Sequence, residues 1–96
     1  MLVFYCDHFD LPLPDGHRFP IDKYRRTRES VANRLGDHLR FLTGPAATID
    51  ELSLVHTTSY LDRVFSGTLS DLEQRRIGFP WSEEMLERSR RSTGAT

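Results

Sequence analysis

Hydrophobic and polar positions change period several times along this chain. Leu2 to Cys6 is an unbroken apolar run rich in β-branched and aromatic residues. A run of that length bounded by polar residues predicts a short strand buried on both faces, as in a parallel sheet. Residues 7–20 then carry three prolines, Pro12, Pro14 and Pro20, with Asp15-Gly16 as a turn signal. This composition predicts a long loop, and Phe9 and Phe19 mark it as a packed one. From Pro20 the spacing becomes helical. Tyr24, Val31 and Leu35 share one face, with Ile21 and Ala32 beside it, and Gly36 is the expected stop. Arg25, Arg26 and Arg28 face water in this reading, with Arg25 and Glu29 as an i,i+4 pair.

Beyond position 47 the signals are mostly caps. Thr48 and Glu51 have capping-box spacing and predict a short helical turn, with Leu52 to Val55 as a second short strand. Tyr60, Leu61, Val64 and Phe65 make an apolar helical stripe that ends at Gly67. Ser70 and Glu73 form another box, for a helix closing at Gly78, and Ser82 is a good N-cap for a last helix. That helix has Glu83, Glu84 and Glu87 early and Arg88, Arg90 and Arg91 late, which complements its dipole. Small residues stand at 89, 92, 93 and 95. Gly94 fits a C-cap; alternatively the whole stretch is a close-packing face whose partner lies outside this sequence, which is the expectation preferred here. The strand at 2–6 likewise needs neighbours.

Composition narrows the class. The 96 residues suffice for one small domain, which on size alone buries about 60–65% of its unfolded surface. Thirteen Lys and Arg face fourteen Asp and Glu, for a net charge of −1. This excludes a chain whose main task is coating nucleic acid or an anionic membrane. Lys23 is the only lysine; the arginines read as a solvated, salt-bridged surface. The single cysteine, Cys6, forbids an intrachain disulfide and fits a reducing compartment. The amino-terminal apolar run is too short to span a membrane and lacks the pattern of a signal peptide, so a cytoplasmic protein is expected.

Few residues offer chemistry directly. Cys6, Asp7, His8, Asp10 and His17 are zinc-ligand types, but Cys-x-His closes no known zinc pattern and no second cluster completes it. They read as polar loop residues. His38 and His56 are isolated. No nucleophile elbow, Walker loop or dinucleotide-binding glycine motif is present. Gly78-Phe79-Pro80-Trp81 is an aromatic, proline-stiffened turn between two expected helices. It reads either as a hydrophobic staple on the last helix or as a rigid wall of a substrate pocket.

Three stretches in order carry a resemblance. They are Pro12-Leu13-Pro14-Asp15-Gly16-His17-Arg18-Phe19-Pro20 with Lys23-Tyr24, then Leu54-Val55-His56-Thr57-Thr58-Ser59-Tyr60-Leu61, then Ile77-Gly78-Phe79-Pro80-Trp81-Ser82 running into residues 88–96. Together they resemble the start of bacterial histone deacetylase-like proteins, near the acetoin-utilisation and class IV types.

The resemblance implies an α/β arginase–deacetylase fold, a three-layer structure around a parallel sheet, of which this chain is the incomplete, mostly helical amino-terminal portion over residues 1–96. It implies a zinc-dependent hydrolase releasing acyl groups from lysine or small amines. In such enzymes zinc held by two Asp and one His activates water, paired histidines move the protons and a Tyr holds the oxyanion.

None of those motifs is in this sequence, so no catalytic residue and no metal ligand is assigned. The chain is expected to be inactive alone and to hold no cofactor, with zinc in the full-length enzyme. What the resemblance does map is the substrate-channel rim: His17, Arg18, Phe19 and Pro20 in a first loop, Gly78, Phe79, Pro80 and Trp81 in a second. Pro80 stands where many relatives place an Asp that holds the substrate backbone, which leaves small amines as substrates. Lys23 resembles a basic position behind the zinc. Expected partners are the remainder of the deacetylase domain or a second copy, without nucleic acid or membrane. The alternative is a small non-catalytic interaction domain derived from that fold.

Overall fold

A computed structural model describes residues 1–9 and 11–96. Strand β1, Leu2–Tyr5, is followed in element order by helix α1, Asp22–Leu35, with residues 6–9 and 11–21 between them in no helix or strand. A 3₁₀ turn, Gly36–His38, leads into strand β2, Arg40–Thr43. Helices α2 (Ile49–Leu52), α3 (Thr58–Ser66), α4 (Asp71–Ile77) and α5 (Glu83–Ala95) complete the chain.

Local chemistry accounts for most of these boundaries. Both halves of the Thr48/Glu51 and Ser70/Glu73 capping boxes are formed, so α2 and α4 begin where the hydroxyl can accept an otherwise unpaired N–H. Thr57 and Ser82 cap α3 and α5 in the same way. Gly67 and Gly78 close α3 and α4 in the left-handed region, at φ 73° and 80°, where a side chain would be strained. Gly36 ends α1 differently. It keeps right-handed geometry and opens the 3₁₀ turn.

The three-layer arginase–deacetylase architecture expected from the resemblance is not what these residues build. Among the described residues the sheet has two parallel strands, paired Leu2 to Arg40 through Tyr5 to Thr43. Helices make up most of the rest. The expected second strand at 52–55 is absent, because the Thr48 box starts a helix there. Its last residues run into turns that leave Leu54 83% and Val55 79% exposed. The strand that does pair with β1 is Arg40–Thr43, which the apolar pattern did not flag. β1 is not buried on both faces either: Val3 and Tyr5 are half-buried, whereas Phe4 is 45% exposed.

The core is small. Ala47, Leu61 and Met85 are the buried apolar residues among those described. The accessible surface is 7050 Å², whereas a compact monomer of this mass exposes about 5,700 Å². The radius of gyration is 15.2 Å, against about 12–13 Å for a compact domain of this length. The chain is a slab of 46 × 35 × 17 Å. No helix among the described residues is long and apolar enough to cross a membrane.

Helix α5 ties the slab together through arginines. Arg88 is 8% exposed and donates to the carbonyls of Phe9 (2.9 Å) and Cys6 (3.5 Å), with its guanidinium 5.1 Å from the centre of the Tyr24 ring. Arg90 donates to the Ala47 carbonyl and Arg91 to that of Gly44. Gly94 is therefore not a C-cap. It lies inside α5, and residues 45–47 pack so closely on it that a methyl group would overlap the Pro45 carbonyl oxygen. Only the Gly94–Ala95 end of the expected close-packing face is covered from within this chain, by residues 44–47. Ser89, Ser92 and Thr93 remain exposed.

Candidate functional site

The loop that leaves the carboxyl end of β1 and the α4–α5 loop meet, although they are far apart in sequence. Gly16, at φ 79°, reverses the chain, and the His17 amide donates to the Pro14 carbonyl at 3.1 Å. This turn aims the His17 ring at the second loop. There Gly78, in its left-handed cap geometry, leaves its carbonyl free of the α4 ladder. His17 Nε2 lies 3.0 Å from the Gly78 oxygen, a contact across 61 residues.

The aromatic residues of both loops pack around this contact. The rings of His17 and Phe79 stack at 5.6 Å, and those of Phe19 and Phe79 meet edge to face at 5.0 Å. Both are ordinary aromatic pair geometries. Lys23, on the first turn of α1, holds its ammonium 5.2 Å from the Phe19 ring centre and 5.0 Å from that of Tyr24. From α4, the Gln74 side-chain amide donates to the Phe79 carbonyl, while the Gln74 backbone carbonyl accepts from the Gly78 amide at 3.1 Å. The second loop is thereby clasped from its own helix.

Of the eight rim residues, His17, Phe19, Gly78 and Phe79 come together. Arg18, Pro20 and Pro80 are exposed. Trp81 points elsewhere. Its indole N–H donates to the Val64 carbonyl at 2.7 Å and its ring lies flat on Gly67. It anchors the second loop to α3, which is neither a staple on the last helix nor a position in the rim cluster. Gln74 carries no mark in the sequence, and Arg88 is marked there only as a late base of the last helix. A glutamine near a helix end and an arginine in a charged helix carry no local mark of the loops they hold.

A second concavity, of about 510 Å³, lies between α1, the sheet and the end of α5, lined by Val3, Tyr5, Tyr24, Arg28, Val31 and Phe41 among others. At its edge Arg28 grips Asp7 with two bonds of 2.7 and 3.0 Å and lies 5.0 Å from the centre of the Tyr5 ring. The Asp7 carboxyl is 5% exposed. Arg28, first by hydrogen bonding and then by its charge, holds it below the ordinary aspartate value of 3.8 against the opposing effect of burial. Between α3 and α4, Arg63 makes a matching fork to Glu73, at 2.7 and 3.0 Å, and lowers that carboxyl to about 2.

The described residues do not gather a zinc site. Both Asp7 oxygens are taken by Arg28, and both His17 ring nitrogens are engaged within the rim. No three His, Cys, Asp or Glu side chains converge among the described residues, and Asp10 lies outside those residues.

A scan against known protein families finds none that matches this chain. A search of curated proteins finds an uncharacterized protein of Picosynechococcus sp., 32% identical over 95 residues. The alignment covers 98% of this chain but 32% of that relative, so the chain spans about a third of its length.

Proposed function

We propose that this chain is the amino-terminal segment of a zinc-dependent deacetylase that releases acyl groups from lysine or small amines. One observation carries the reading: the two loops assigned to the channel rim by resemblance, at 17–20 and 78–81, share a hydrogen bond and an aromatic cluster. The first of them follows the carboxyl end of a parallel strand, the side on which α/β proteins place their ligands. The slab's thin shape and excess surface support a segment that is completed by further packing. The length of the Picosynechococcus relative is in keeping with that.

In this reading the chain supplies no catalytic group. It walls one side of a channel, and zinc and the proton-transfer residues are held by other parts of the protein. Pro80 has no side-chain acceptor for a peptide N–H, which favours a small acylated amine over a peptide.

The test measures acetate release from an acetyl-lysine peptide and from an acetylated diamine by the protein at its full natural length, with bound zinc counted by elemental analysis. The expected result is one zinc per chain and hydrolysis abolished by a chelator, with residues 1–96 alone inert. A full-length protein that binds no zinc and cleaves neither substrate refutes the proposal. The non-catalytic interaction domain would then be favoured if the 96-residue chain runs as a compact monomer in size exclusion.

A further inference from the structure

We propose that His17 is a positioning residue: its imidazole is the latch that joins the two rim loops into one wall. The argument rests on which partner each ring nitrogen has. The Phe19 amide donates to Nδ1 at 3.1 Å, so Nδ1 carries a lone pair and no proton. The proton of the neutral ring is then on Nε2, which points at the Gly78 carbonyl at 3.0 Å. A backbone N–H on one side thus selects the tautomer that donates on the other. Each loop end is prepared for this. The first bond repeats the side-chain-to-backbone turn that Asn and Asp make two residues on. On the second loop, Gln74 and the left-handed Gly78 hold the accepting carbonyl in place. Phe79 then stacks on the same ring, so the latch also sets the aromatic surface a substrate would meet.

Two substitutions separate the parts. His17→Asn keeps an acceptor for the Phe19 amide but is too short to reach Gly78. His17→Phe keeps the stacked ring and loses both bonds. Amide hydrogen exchange in the full-length protein reads the Phe19 bond directly and the cross-loop bond through the neighbouring Gly78 amide, which donates to the Gln74 carbonyl. Loss of the cross-loop bond should speed exchange at Gly78 in both variants, whereas Phe19 should stay protected in His17→Asn and lose protection in His17→Phe. Nitrogen-15 shifts of the imidazole should report a proton on Nε2.

Resting on the proposed deacetylase reading, both variants should raise KM for the acylated amine about three- to tenfold, the worth of one neutral hydrogen bond, and leave kcat within about twofold. A proton on Nδ1, or a second loop whose exchange is unchanged in His17→Asn, overturns the latch. So does a fall in kcat at constant KM. Should the unmodified protein hydrolyse neither substrate, the deacetylase reading fails while the exchange and nitrogen shifts still decide the latch.

Discussion

Replacing Gly94 by alanine should destabilise this protein, against the usual rule for a glycine inside a helix. Helix propensity alone favours the change by about 1 kcal/mol. Here, however, the added methyl would overlap the Pro45 carbonyl oxygen and stand 2.7 Å from the Ala47 nitrogen and 2.9 Å from the Ala46 carbonyl carbon. These are backbone atoms and cannot rotate away. Relieving the overlap means lifting residues 45–47 from α5, at about 1–3 kcal/mol for an overpacked contact. Two bonds go with it, Ala47 N–H to the Arg90 carbonyl (2.9 Å) and the Arg90 guanidinium to the Ala47 carbonyl (3.1 Å). Each contributes about 0.5–1.5 kcal/mol. The net loss is about 1–5 kcal/mol after the propensity gain, which for a domain of this size lowers Tm by at least about 4 °C. Circular dichroism melts of Gly94→Ala beside Gly36→Ala provide the check. Gly36 has right-handed geometry and open space around its missing Cβ. Its alanine variant should match or exceed the parent by up to about 1 kcal/mol. A Gly94→Ala protein that melts at or above the parent would refute the close approach of 45–47 to α5.

Other expectations follow from the buried polar contacts. Arg88→Met should cost about 1–3 kcal/mol in urea unfolding, because it leaves the Phe9 and Cys6 carbonyls without their donor, and Arg88→Lys should recover only part of that because it lacks the planar fork. Asp7→Asn should destabilise by about 1–3 kcal/mol, leaving Arg28 without its carboxylate. Acid should weaken the fold through both ion pairs. The Asp7 and Glu73 carboxyls are lowered in the folded chain, so their contribution is complete above pH 3.8 and 4.5 respectively. It is lost as pH falls through the folded values, about 2 for Glu73. Urea midpoints measured from pH 6 to pH 2 should drop over that range, and Glu73→Gln should flatten the part due to Glu73. Gly67→Ala should destabilise twice over, through its φ of 73° and through a clash with the Trp81 ring at 3.1 Å, visible as altered tryptophan fluorescence and a lower melting point.

What could be read directly from the sequence was local. The Thr48/Glu51 and Ser70/Glu73 boxes, the Ser82 cap and the Gly67 and Gly78 stops each depend on residues within four positions, and each formed as expected. Leu52 to Val55 shows where two local signals compete: an apolar run argues for a strand, but the capping box upstream starts a helix, and the run becomes its exposed end. Tertiary structure alone decided the rest. Arg40–Thr43 has only two apolar residues and becomes a strand because β1 offers it a parallel ladder. Gly94 lies inside α5 where residues 45–47 occupy the space a side chain would need. The rim loops could be named from a resemblance, but their meeting at His17 and Gly78 depends on a contact between positions 61 residues apart. Capping chemistry acts within one helical turn and leaves its mark in adjacent residues. A hydrogen bond between distant loops leaves none, because the folded chain, not the order of its residues, brings the two groups within reach.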